Sequence, residues 1–169
     1  MKLKISQILE DHLEEAHKIY NYYIVNSYSN FEETKLSFKT FYKNYKNISN
    51  NKLPYLVALN NEKVVGIAYL NKFRNKSGYK FAFENTIYVH NEYIKQGIGY
   101  QLLKKLITIS KKNKKIKKIV AVIAGIDCNA SLKIHQKIGF KNSGILKKIG
   151  FKNGKWIDSI LMQKNVWKK

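Results

Sequence analysis

The chain has 169 residues, 44% of them hydrophobic and 25% charged, which fits one globular domain spanning 1–169 and is too short for two ordinary ones. Lys and Arg number 32 against 11 Asp and Glu, a formal balance of +21. That excludes an acidic tail and keeps nucleic acid among the partners to be considered, although every basic residue except Arg74 is Lys and the mix with Asn, Ile and Tyr is what AT-rich codons produce whatever the function.

Lys2 to Ser6 alternates as a short strand. From Gln7 to Ser27, Leu9, Leu13, Ala16, Ile19, Tyr20, Tyr23 and Ile24 recur at steps of three and four, the stripe of a helix facing a core. Glu10, Asp11, Glu14 and Glu15 lie near its start, where the helix dipole favours them. Ser37 to Ile48 repeats the period with Phe38, Phe41, Tyr42 and Tyr45. Tyr55 to Leu59 and Val64 to Leu70 then read as a hairpin around Asn60-Asn61-Glu62, and Tyr79 to Val89 as a third strand. Tyr100 to Ser110 is helical, and Lys117 to Ala124 is a strand whose unbroken apolar run implies burial on both faces. A short helix at Ser131 to Lys137 precedes two strands, Phe140 to Ile149 and Lys155 to Lys164, turning at Asn153-Gly154. A mainly antiparallel sheet followed by a parallel crossover makes a mixed α/β domain.

Cys128 is the only cysteine, which rules out an intrachain disulfide and gives no basis for a Cys-bound metal. No His-x-x-x-His pair suggests metal either. The longest apolar run, Ile119 to Ala124, falls far short of the roughly 20 residues a membrane span needs, and residues 1–15 form no signal-peptide core. A soluble cytoplasmic protein is expected, with no membrane partner.

Ile94, Lys95, Gln96, Gly97, Ile98 and Gly99 lie between a strand and a helix, so their amides face whatever sits above the helix N-terminus, an anion site by construction. The spacing matches neither a P-loop nor a Rossmann fingerprint. A structural turn is the plainer reading of two glycines taken alone.

Taken with Glu84-Asn85-Thr86-Ile87-Tyr88-Val89 and Ser131-Leu132-Lys133-Ile134-His135-Gln136-Lys137-Ile138-Gly139-Phe140, this turn resembles the GNAT superfamily of acetyl-CoA-dependent N-acetyltransferases. Ile19-Tyr20-Asn21, Phe73-Arg74, Tyr79 and the closing Gly150-Phe151-Lys152-Asn153-Gly154-Lys155-Trp156-Ile157-Asp158 are similar to the subgroup of phosphinothricin and methionine sulfone/sulfoximine N-acetyltransferases. The resemblance runs from the first helix to the last strand. It implies a GNAT-like fold, a mixed and mostly antiparallel twisted sheet of about seven strands with about four helices, and a homodimer.

What it implies for the site follows residue by residue. The glycine turn binds the coenzyme's pyrophosphate, and the backbone of Ile87, Tyr88 and Val89 pairs with its pantetheine arm. Ile94 stands where the family usually has Gln or Arg, and Asn129-Ala130-Ser131 replaces the usual Asn-x-x-Ser, so Asn129 is the candidate coenzyme contact there. Glu84 matches the family's base, taking a proton from an amine that attacks the acetyl thioester; an exposed strand glutamate is the alternative. A backbone N–H near Val89 would stabilise the thioester oxygen. His135 stands where many members carry a Tyr that protonates the departing thiolate, and it reads equally as a helix histidine with a structural hydrogen bond. Arg74, with Lys76 nearby and Tyr79 lining the same pocket or packing as a strand aromatic, matches the site for an amino acid's carboxylate. Phe151-Lys152 and Trp156 are expected to shape the pocket or a subunit contact, with the core as the plainer place for Trp156.

The preferred acceptor is the α-amine of a small amino acid or analogue; N-terminal or ribosomal-protein acetylation is the in-class alternative. A nucleic-acid- or ribosome-binding module is the alternative of another class, resting on +21 and the run Lys111-Lys112-Asn113-Lys114-Lys115-Ile116-Lys117-Lys118, which reads equally as a solvated connector.

Overall fold

The computed structural model describes residues 3–167. Seven strands form one sheet in the order β1-β2-β3-β4-β5-β7-β6. They are β1 (Leu3–Gln7), β2 (Tyr55–Asn60), β3 (Lys63–Lys72), β4 (Ala82–Val89), β5 (Lys118–Ala124), β6 (Lys141–Lys152) and β7 (Lys155–Asn165). Four α-helices, α1 (Leu13–Asn26), α2 (Phe38–Asn50), α3 (Ile98–Ser110) and α4 (Asn129–Ile138), cover the sheet. Every neighbouring pair is antiparallel except β4 and β5, which α3 connects as a parallel crossover. Among the described residues no helix is long and apolar enough to cross a membrane.

The opening differs from the period read along the chain. Lys2, placed at the start of the first strand, lies outside the described residues. Gln7 pairs with Leu56 and so belongs to β1, and residues 10–12 form a single 3-10 turn before α1 begins at Leu13. Leu9, assigned to the apolar stripe, is therefore exposed, and Leu13, Ala16, Ile19 and Ile24 carry the buried face. Ser37 caps α2 by accepting from Thr40 N at 3.2 Å, leaving Phe41 and Ile48 to pack inward.

The β2–β3 hairpin turns at Asn61, φ 55°, and both strands are buried on both faces, which makes them the centre of the core. Between β3 and β4 the expected strand begins late. Ser77–Tyr79 is a 3-10 turn, so Tyr79 stands outside β4, exposed and edge-on to Phe73. At the far edge β6 runs past Ile149 to Lys152, with register shifts between Asn142 and Gly144 and between Leu146 and Gly150. Trp156 is 62% exposed and packs on Phe151, a surface pair and not part of the core. The lysine run forms an exposed connector from α3 into β5, with Ile116 alone fully buried in it.

Candidate active site

The β4–β5 pair is the feature that opens a site. Its register is Ala82 to Lys118, Phe83 to Ile119 and Glu84 to Val120, and there it stops. Beyond it β4 continues on β3 as far as Val89, and β5 continues on β7 as far as Ala124, so the two strands part. Alternation decides which backbone groups face the gap. His90 N–H donates to Val65 O, and Phe73 N–H to Ala82 O, so even-numbered residues of β4 point their groups at β3. Asn85, Ile87 and Val89 then turn their N–H and C=O groups towards β5; the Glu84–Val120 bridge uses the Asn85 N–H, and no strand receives the groups beyond it. Tyr23 Oη takes one of these, donating to Val89 O at 2.6 Å.

A cavity of about 660 Å³ fills the gap. Its walls are the diverging halves of β4 and β5, the end of α1 with Asn26 to Ser29, the glycine turn, and α4. Gly97 has φ 78°, a conformation that glycine adopts without the Cβ penalty, and it is the N-cap of α3. The chain reaches it through Lys95, also left-handed at φ 61°. No side chain caps α3 and no acidic residue lies in its first turn, so the first helical amides remain directed outward with the positive end of the dipole. These are donors for an anion at one end of a groove whose other walls are unpaired strand backbone.

At the closed end of the gap the two faces of β4 carry different chemistry. Glu84, Thr86 and Tyr88 alternate onto the face covered by α1, where Tyr88 stacks on Tyr23 at 4.6 Å and 24° and meets Tyr20 edge-on. Glu84 is half-buried with no ion-pair partner among the described residues, and burial pushes its carboxyl up from 4.5 to about 7. Asn85 and Ile87 lie on the opposite face. There His135, only 3% exposed, donates from Nδ1 to Ser131 O at 2.7 Å and accepts on Nε2 from Asn85 Nδ2 at 3.1 Å. A carbonyl can only accept, so the proton sits on Nδ1. Burial lowers the imidazole's pKa, against a smaller raising contribution from the Ser131 carbonyl. Asn85 Oδ1 is left buried without a partner.

The other expected site residues divide. Ile87, Tyr88, Val89, Ile94, Lys95, Gly97, Ile98 and Gly99 all line the cavity. Gln96 does not; its amide reaches back towards Glu92 O. Asn129 is the first residue of α4 and is absent from the wall, where Cys128, Ala130 and Ser131 stand instead. Arg74, Lys76 and Tyr79 lie in the exposed loop after β3 and outside the cavity, with the Arg74 guanidinium 5.3 Å over Phe73 and 5.9 Å over Tyr79. The loop leaves β3 just beyond Asn71, the register partner of Glu84. Tyr23, Asn85 and Ser131 have no site role in the sequence reading, although Asn85 and Ser131 stand within the motifs quoted for the resemblance. Of these only Asn85 left a signal, an amide inside an apolar β run.

Comparison with known proteins supplies the family and the fold. Residues 5–161 match the family described as an acetyltransferase (GNAT) domain. The phosphinothricin N-acetyltransferase of Alcaligenes faecalis is 32% identical over 157 residues, 93% of this chain and 79% of that one. Among solved structures, a phosphinothricin acetyltransferase from Sinorhizobium meliloti in complex with AcCoA superposes with a TM-score of 0.92 at 32% identity, covering 98% of this chain and 89% of the other. A ribosomal-protein-alanine N-acetyltransferase from Brucella melitensis superposes equally, with a TM-score of 0.92, 31% identity, and coverage of 96% and 99%.

Proposed function

The chain belongs to the GNAT family of acetyltransferases, and on that premise we propose that it moves the acetyl group of acetyl-CoA onto the α-amine of a small amino acid or analogue of the phosphinothricin or methionine sulfone kind. The observation that carries this is the parting of β4 and β5 immediately after Glu84, which sets an unpaired, partly desolvated carboxyl at the closed end of an open groove.

The residues present fit acetyl-CoA. Outward amides of Ile98 and Gly99, with Lys95 beside them, suit a pyrophosphate. The open groups, Asn85 C=O, Ile87 N–H and C=O and Val89 N–H, suit the amides of a pantetheine arm, taken up as an added strand. The coenzyme supplies a thioester whose acetyl carbon can be attacked. Glu84 supplies the base. A carboxyl near 7 is half ionised at neutral pH and still basic enough to take the ammonium proton, directly or through water. The Val89 N–H faces the gap and can donate to an oxygen gaining charge.

His135 enters as a positioning residue. With its proton committed to Ser131 O and Nε2 occupied by Asn85, it has no hydrogen to offer across the groove, and its hydrogen bond orients the Asn85 amide. Arg74 is the cation for the acceptor's carboxylate: its planar fork grips a carboxylate in a way Lys does not, and the two aromatic faces beneath it hold the guanidinium. A homodimer is part of this reading, supported by exposed Ile145, Ile149, Phe151 and Trp156 on the β6–β7 edge; light scattering would read its mass.

The test mixes acetyl-CoA with phosphinothricin, methionine sulfone and a panel of amino acids and follows release of the CoA thiol. Release with a free amino acid, lost in Arg74→Ala, supports the proposal. The similarity to the ribosomal-protein-alanine enzyme favours a second reading, acetylation of a protein N-terminus. That reading requires activity on Ala-initiated peptides, indifference to Arg74→Ala and none on free amino acids.

A further inference from the structure

The closing motif from Gly150 to Asp158 supplies no group to the chemistry above, yet it contains the most deeply buried charge in the described chain. Lys152 is 1% exposed. Among the described residues no carboxylate lies within ion-pair distance of it. Its Nζ instead donates to three backbone carbonyls, Ile24 O at 2.7 Å, Ser27 O at 2.9 Å and Asn30 O. An ammonium has three protons, and all three are used.

Those carbonyls are not arbitrary. Ile24 lies in the last turn of α1, where helical carbonyls have no partner within the helix, and that turn carries no basic residue of its own. Lys152 supplies the missing cation from 128 residues further along the chain. Ser27 and Asn30 begin the segment that leaves α1 for α2, and Asn26 to Ser29 form the wall of the cavity on the Glu84 face of β4. The same segment touches the hairpin again through Phe31. A Cβ on Gly150 would lie 2.5 Å from Phe31 Cε1, so only glycine lets the ring close down. The hairpin is itself braced: Asp158 accepts from Lys148 N and Lys147 Nζ, both at 2.8 Å, across the register shift between Leu146 and Gly150. Asn153 and Gly154, φ 48° and 74°, make the tight turn that returns the chain.

We propose that Lys152 is a positioning residue for the acceptor side of the active site, a buried ammonium that clasps the segment from Ser27 to Asn30 to the β6–β7 hairpin and so fixes the wall facing Glu84. The inference rests on the acetyl-transfer reading for what that wall does, but the clasp itself is independent of the acceptor's identity. Burying an ammonium is costly, and here the cost is offset only through the three backbone carbonyls it satisfies. What an apolar side chain lacks is the ability to hold three carbonyls of an irregular segment at once.

The experiment pairs amide hydrogen exchange with steady-state kinetics on Lys152→Met, which keeps an unbranched side chain one atom shorter and removes the donors. Exchange across residues 27–36 should accelerate by about tenfold or more while the amides of α3 keep their protection. With an acceptor that the wild type uses, the acceptor KM should rise about tenfold with the acetyl-CoA KM within about twofold. Gly150→Ala, which displaces Phe31 and leaves Lys152 in place, should loosen the same segment and is the second variant if Lys152→Met does not fold. Uniform loss of protection through α3 and β4 in both variants would make Lys152 a general fold anchor and overturn the proposal. So would unchanged exchange at residues 27–36. Should no free amino acid serve as acceptor, the exchange result still decides the clasp, and the failed assay counts against the substrate assignment alone.

Discussion

Replacing Glu84 by Gln should move activity and stability in opposite directions, and the structure sets both. The carboxyl stands where β4 leaves β5, without an ion-pair partner among the described residues, and burial raises it from 4.5 to about 7. A carboxylic acid raised in the folded state holds its proton there after the unfolded chain has released it. The contribution of Glu84 to stability is therefore greatest below 4.5, falls as pH rises from 4.5 to about 7, and stays lower above. At about 1.36 kcal/mol per pH unit that interval is worth ~3 kcal/mol as an upper bound, and water in the open groove reduces it to ~1–3 kcal/mol. Gln is never charged and escapes the loss. Urea unfolding should find Glu84→Gln more stable than wild type by ~1–3 kcal/mol near pH 8.5, with most of the gain gone near pH 5. CoA-thiol release by the same variant should fall by about 10²–10⁴ in kcat/KM, the usual share of a general base, and the wild-type profile should rise with a midpoint near 7. A variant no more stable at high pH, or one within about tenfold of wild-type turnover, would refute the reasoning that Glu84 is a desolvated base.

Gly97→Ala tests the glycine turn: a methyl there meets nothing within 4 Å, so the cost is backbone strain at φ 78°, about 1 kcal/mol, and the acetyl-CoA KM should rise several-fold with the acceptor KM unchanged. Arg74→Lys keeps the charge and loses the fork; the KM for a carboxylate-bearing acceptor should rise about tenfold, while the melting temperature, for so exposed a residue, stays put. His135→Leu leaves Asn85 Nδ2 without its acceptor, while Ser131 O keeps its helical partner, and should cost ~1–3 kcal/mol in denaturant unfolding, with a kcat loss under about tenfold and an unaltered pH profile. Loss of one limb of that profile would instead identify His135 as a proton donor.

How much of this could be read along the chain depends on how local its cause is. The β2–β3 and β6–β7 hairpins turn where the Asn-rich and Asn-Gly signals stand, because a tight turn is decided by the residues in it. The same holds for the glycine turn before α3. Competition between elements was less legible: Gln7 satisfies a helical period and a strand equally, and pairing with Leu56 decided for the strand. Tyr79 continues an aromatic β run in sequence but lies in a turn before Ala82, where pairing with β5 begins.

By itself, then, the sequence determined the list of elements and the crossover that places a helix N-terminus beside a strand end, both consequences of local conformation and period, while its resemblance to the acetyltransferases pointed to Glu84. Only the tertiary structure decided that β4 and β5 separate after Glu84, since alternation is the same on either side of the last paired residue. It also decided that His135 faces Asn85, that Asn129 lies off the wall, and that Lys152 is buried against the end of α1. Lys152 stands in the closing motif, but nothing local marks the carbonyls that will surround it, because those belong to a segment more than a hundred residues away and meet it only when the sheet and α1 have closed on one another.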